Sequence, residues 1–154
     1  MPITNEAATR EDPILSFDFA IDLGGTIKGY FTEVSGLGSE NDIVESKVIN
    51  EKGVEVVLKL PGRLKWGDIT LKRGITTSLD LWDWRKEVED GSVTSARKNG
   101  SIIMFDRELK EAARWNFTNA WPSKISGPAP KSDGNEIAIE ELTIVHEFIE
   151  RVSV

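Results

Sequence analysis

Apolar and polar residues alternate with a period of two from Leu15 to Leu23, where Leu15, Phe17, Phe19, Ile21 and Leu23 interleave with Ser16, Asp18, Ala20 and Asp22. That period predicts a strand with one dry and one wet face. Gly24-Gly25 suits a two-residue hairpin turn, so a second strand is expected through Thr26–Val34. Alternation resumes at Val54, Val56, Leu58 and Leu60 and is expected to end at Pro61-Gly62. A shorter strand carries Ile69 and Leu71 up to Gly74.

The period then lengthens. Leu81, Trp84 and Val88 fall on one helical stripe and Leu79 with Trp82 on another, which predicts a helix over about 79–90. Ser78 fits its N-cap, Asp80 and Asp83 its positive end, and Gly91 its C′ position. Downstream, Val93–Lys98 and Ser101–Phe105 read as two strands joined at Asn99-Gly100, a hairpin dipeptide. Ala113, Trp115 and Phe117 share one strand face, and 122–134 reads as a Pro/Gly/Ser loop. The last segment fits helical spacing through Ala138, Leu142, Val145 and Ile149. It also fits a strand if a bulge near Glu140-Glu141 reconciles the parity, and β-branched Thr143, Ile144 and Val145 favour the strand.

One stretch keeps no single period. Between Ser35 and Lys52 the chain is glycine-rich, then acidic, with Ile43, Val44, Val48 and Ile49 interspersed. It is either a long connecting arm or a protruding hairpin, and its apolar residues are more stable against a partner surface than in water. The whole pattern describes a mainly β fold: one domain over 13–154, a barrel or sandwich of about eight strands with one helix, preceded by a flexible arm at 1–12.

Composition narrows the chemistry. The 154 residues include no Cys and one His, which removes disulfides, thiolate metal sites and most His-based ones. The formal charge of −7 gives no general attraction to nucleic acid or anionic membranes. The N-terminus lacks the layout of a signal peptide and no apolar run reaches membrane-spanning length, so synthesis in the cytoplasm is expected. Nothing implies a cofactor or a metal.

Taken in order, the features resemble a known family from about Phe17 to His146. They are Ser35-Gly36-Leu37, Leu60-Pro61-Gly62, Leu71-Lys72-Arg73-Gly74-Ile75, the Trp-bearing helix, Asn99-Gly100-Ser101-Ile102, Trp115-Asn116-Phe117 with Ala120-Trp121-Pro122, and Asn135-Glu136-Ile137-Ala138-Ile139-Glu140. The chain resembles the inner tail-tube proteins of contractile phages and of phage-derived extracellular contractile injection systems. The resemblance implies a non-enzymatic subunit whose six-membered rings stack into a hollow tube. Its implied partners are further copies of itself, a sheath, a baseplate with spike, a terminal cap and lumenal cargo, with no specific nucleic-acid binding and no membrane insertion by the subunit. Assembly would take place in the bacterial cytoplasm and action in a phage tail or released particle.

For such a role the arm Gly36–Gly53 is the expected contact with an adjacent subunit or ring, through Glu40, Asp42, Ile43, Val44, Glu45, Val48 and Ile49. Arg73 is a further candidate for pairing across subunits, and Trp121, held extended before Pro122, for packing into a neighbour. Asp18 and Asp22, on the wet face of the first strand, are candidates for the lumen wall. Two rival readings remain from the residues alone. One is a monomeric β-sandwich that binds carbohydrate through surface aromatics. The other is a hydrolase using a carboxylate pair such as Glu140-Glu141 or Asp80/Asp83, or His146 beside Glu147.

Overall fold

The computed structural model describes residues 18–127 and 138–154. The expected arm at 1–12, the Leu15–Phe17 start of the first strand, residues 128–134 of the expected loop and Asn135–Ile137 lie outside the described residues. Those described form ten strands and two helices, a mainly β fold as the alternation implies.

Strands β1 (Asp18–Leu23) and β2 (Thr26–Phe31) form the expected hairpin. Gly24 and Gly25 both take positive φ there, and the Gly25 N–H donates to Asp22 Oδ1 at 2.8 Å, so one lumen candidate also braces its own turn. The short β3 (Glu33–Ser35) continues directly from β2. Next come β4 (Ser39–Ile49), β5 (Glu55–Trp66) and β6 (Ile69–Gly74), then α1 (Asp80–Glu89) and the one-turn α2 (Val93–Ala96). The chain finishes with β7 (Lys98–Phe105), β8 (Glu111–Ser126), β9 (Ile139–Val145) and β10 (Phe148–Val152).

The main sheet runs β2-β1-β7-β8-β9-β6-β3, with β10 alongside β8. No ladder closes it, but its first and last members are successive stretches of one segment that bends at Thr32. There the Thr32 N–H donates to the Lys72 carbonyl at 3.0 Å. Ile21, Phe31, Ile69, Leu71, Ile102, Phe117, Leu142 and Ile144 fill the inside, and α1 lays Leu81 and Trp84 on this core. Trp84 Nε1–H donates to the Ala96 carbonyl at 2.6 Å, so the buried indole is satisfied by α2.

Several expectations are corrected. Asn99-Gly100 does not turn the chain; both sit inside β7, and Val93–Ala96 is helical. Gly100 is there for space, since a Cβ at that position would strike the Asp22 carbonyl of the paired strand. Pro61-Gly62 does not end its strand either: β5 runs on to Trp66. A proline is tolerated because β5 has one ladder partner and therefore a free edge. The expected 122–134 loop starts later, after β8 reaches Ser126. Ser78 is not the helix cap; Leu79 holds that position without a side-chain bond, leaving Asp80 and Asp83 to face the first-turn N–H groups. Trp115, expected in the core, is half-buried against it, with the Arg151 guanidinium 5.8 Å from its ring centre.

The C-terminal segment is strand, and it needs no bulge of its own. β9 pairs with β6 without interruption, because Glu140 occupies the inward position in phase with Leu142 and Ile144. Ile139 is turned outward. The bulge in this region lies in the β8–β9 ladder, between Pro122 and Lys124.

Candidate assembly surface

The aperiodic arm is one half of a long hairpin. β4 pairs with β5 from Ser39↔Trp66 to Ile49↔Glu55 in a separate two-stranded sheet. A bulge between Asn41 and Ile43 interrupts the register, and Asn41 Nδ2–H bonds across to the Gly62 carbonyl at 3.2 Å. Beyond its root the hairpin packs almost wholly on itself.

Residues directly opposite in an antiparallel pair share a face. One face therefore carries Val44/Leu60, Ser46/Leu58 and Val48/Val56, an apolar strip interrupted by one hydroxyl. The other carries Ile43/Pro61, Glu45/Lys59, Lys47/Val57 and Ile49/Glu55, a mixture of charge and apolar surface. Ile43 is 68% exposed and Ile49 75%, and Val44, Leu58, Leu60 and Leu64 are also exposed. A contiguous apolar strip of this kind, with no cover from its own chain, marks an interaction surface. Full burial of each large side chain would contribute about 1.5–3 kcal/mol.

All seven arm candidates lie on β4. Glu40 is exposed near its start, and Asp42 meets Lys65 across the hairpin at 2.9 Å. The arm reading missed the contribution of β5: Val56, Leu58, Leu60 and Leu64. Their alternation marks a strand, but alternation alone does not say whether the dry face meets the chain's own core.

The remaining candidates lie elsewhere. Arg73, expected to pair across subunits, is buried at 5% exposure, and its Nε–H donates to Glu140 of its own chain at 2.8 Å. Its guanidinium also stacks 5.3 Å from the Phe31 ring centre, and Trp82 Nε1–H donates to the same Glu140 carboxylate. Arg73 is thus an interior ion-pair partner, placed there by strand parity with Ile69 and Leu71. Trp121 is half-buried on β8 opposite Val145.

Asp18 and Asp22 do share a sheet face, with Ala20, Ser101, Ile103, Arg114 and Asn116. This face is not purely acidic. Arg114 donates to Glu111 and, at 3.0 Å, to Ser101 Oγ, whose hydroxyl donates to Asn116 Oδ1 at 2.6 Å. The hydrogen bond to Glu111 raises the Arg114 pKa, against a smaller opposing effect of burial, with Asp22 adding to the rise. Among the described residues no cluster of His or carboxylates has the geometry to hold a metal ion. His146 lies at the β9–β10 corner, its Nε2 3.1 Å from the Gly67 carbonyl, and not beside an acid in a cleft.

Comparison with known proteins gives a consistent answer. A chain of the PVC extracellular contractile injection system, in its extended sheath-tube complex, superposes with a TM-score of 0.75 at 24% identity, covering 99% of this chain and 100% of that one. A chain of the anti-feeding prophage tube terminating cap gives 0.73 at 23% identity, with both chains fully covered. Hcp1 from Flavobacterium johnsoniae gives 0.54 at 17% identity over 88% of this chain and 94% of its own. These likenesses establish the fold. No curated protein sequence matches the chain. The family model for T4-like virus tail tube protein gp19 matches residues 15–150, and the chain belongs to that family.

Proposed function

We propose that this tail tube protein forms six-membered rings that stack into a hollow tube within a contractile particle, and that the β4–β5 hairpin is the arm by which one copy grips the next. The observation that carries the reading is the Val44/Leu60, Ser46/Leu58, Val48/Val56 strip, which no other part of its own chain covers. An uncovered strip on an ordered hairpin exacts a solvation cost in the lone subunit that a neighbouring copy removes. The two free edges of the hairpin add unpaired backbone groups that a neighbour can satisfy.

The similar chains come from assemblies described as a sheath-tube complex, a tube terminating cap and a baseplate. The corresponding partners proposed for this chain are a surrounding sheath, a baseplate with spike and a terminal cap, with cargo in the lumen. The particle is a phage tail or a released injection particle assembled in the cytoplasm. Asp18 and Asp22 remain the proposed lumen-facing acids, and the role is taken to be structural, without catalysis. No match favours the carbohydrate-binding or the hydrolase reading.

Negative-stain electron microscopy of the purified protein tests the proposal. Annular particles or hollow rods are expected. A discrete 17.1 kDa monomer under every condition, with no ring or filament, would overturn it.

A further inference from the structure

The hairpin leaves the body of the protein through a narrow root, and the root is built as a joint. Gly36, Gly38 and Gly67 surround it. Gly36 has φ 86, and a Cβ there would strike the Asp68 carbonyl, so the backbone fits only without a side chain. Gly67 N–H donates to the Gly38 carbonyl at 3.3 Å. An open groove of about 480 Å³ lies beside these glycines and leaves room for the arm to swing.

One cluster outside the glycines opposes that freedom. Trp66, the last residue of β5, packs edge-on against Phe148 with ring centres 5.3 Å apart and lies 6.1 Å from His146. His146 Nε2 meets the carbonyl of Gly67, the next residue along the root. This bond requires the proton on Nε2, which leaves Nδ1 as a buried lone-pair acceptor, and it has no partner. At about 3.3 Å per residue the eleven residues of β4 make a lever of roughly 36 Å, so a small rotation at the root displaces the tip by several ångströms.

We propose that His146 is the positioning residue of the hairpin: its neutral ring, wedged with Phe148 against Trp66 and bonded to Gly67, fixes the direction of the arm, and protonation of Nδ1 releases it. The new N–H would be buried without an acceptor, and its charge would sit between two aromatic rings. Turning the ring outward relieves both, but it gives up the Gly67 bond and one wall of the Trp66 site. Burial already lowers the pKa of His146 below 6.5, ahead of the opposing effects of the Gly67 carbonyl, the Asp68 charge and the Phe148 backbone. Asp68 is the charged group facing the ring from the root. On β10 the neighbour is uncharged Phe148, and Glu147 is engaged by Asn119 Nδ2–H at 2.7 Å.

The functional weight of this joint rests on the assembly reading of the hairpin, but the joint can be measured within one subunit. The chain has no cysteine, so Lys52→Cys at the tip and Lys110→Cys on the body give a unique pair of spin-label sites. With labelled protein diluted in unlabelled, the electron–electron distance distribution is expected to be narrow near neutral pH and broad at about pH 5. In a His146→Gln background, where the amide can still donate to Gly67 but does not titrate, it should stay narrow at both. Asp68→Asn, which removes an attraction for the proton, should move the broadening to lower pH. A wild-type distribution that ignores pH overturns the proposal without reference to any variant. So does the same broadening in the Gln form. If the joint opens as described but rings and tubes are indifferent to it, the assembly reading fails and the joint stands.

Discussion

Arg73 and Glu140 lie 67 residues apart in the chain and form an ion pair inside the protein, with Nε and Oε2 2.8 Å apart and side-chain exposures of 5% and 4%. The pair ties β6 to β9, and through Trp82 it ties α1 to both. A Cβ at Gly29 would stand 2.8 Å from Arg73 Nη1, so the bare backbone of β2 is part of the same fit. Removing one member leaves a charge buried alone, at a cost of about 3–5 kcal/mol. Glu140→Ala is therefore expected to lower unfolding free energy by that amount in urea titrations. Arg73→Met with Glu140→Leu should recover most of the loss. A single variant within about 0.5 kcal/mol of wild type would contradict the assignment.

The apolar strip of the hairpin predicts a separation between assembly and folding. Leu58→Asp and Leu60→Asp should abolish rings or tubes in electron micrographs while the melting of the monomer changes little, since exposed positions usually shift stability by less than about 0.5 kcal/mol. Charge reversal within Glu40–Glu45 should shorten tubes by the same logic. Tubes of unchanged length in these variants would remove the hairpin from the contact.

The turn between β7 and β8 contains a strained residue. Leu109 has φ 61, a left-handed conformation that a leucine adopts at a cost of about 1–2 kcal/mol, and it is exposed. Asp106 holds the turn by accepting the Glu108 and Lys110 N–H groups at 2.9 and 3.0 Å. Leu109→Asn should accordingly raise stability by about 0.5–1 kcal/mol in the same titration. Asp106→Ala should lower it.

Acid should weaken the protein through His146 in a defined window. The folded-state pKa is lowered from 6.5, so below 6.5 the unfolded chain binds the extra proton first. The His146 contribution is complete above 6.5 and is lost as pH falls from 6.5 through the folded value. Stability curves for wild type and His146→Gln should diverge in that interval and run parallel above it.

Where the dry face of an element meets the chain's own core, the sequence shows it. The alternation of Phe19, Ile21 and Leu23 and the stripe of Leu81, Trp84 and Val88 fall where the structure buries them wholly or in part. The misreadings share one cause: a residue whose reason lies in a distant neighbour. Gly100 makes room for a carbonyl of β1, and Glu140 occupies a core position because Arg73 is there to neutralise it. The hairpin is hardest to read from sequence. Both of its faces carry apolar residues, and no part of its own chain covers them. The seven β4 positions were legible as an uncommitted arm, whereas β5 looked like a core strand because its alternation is regular. Arg73 misled because a basic residue beside a turn ordinarily faces solvent.

The bend at Thr32 has a mechanical consequence. Since β2 and β3 are one covalent segment, a pull on the wall of the subunit finds no outermost strand that can be peeled away rung by rung. Tearing the wall open requires many ladder bonds to break at once. A hollow shaft driven end-on would gain from such units, because each would yield abruptly at high force and hold its shape below it.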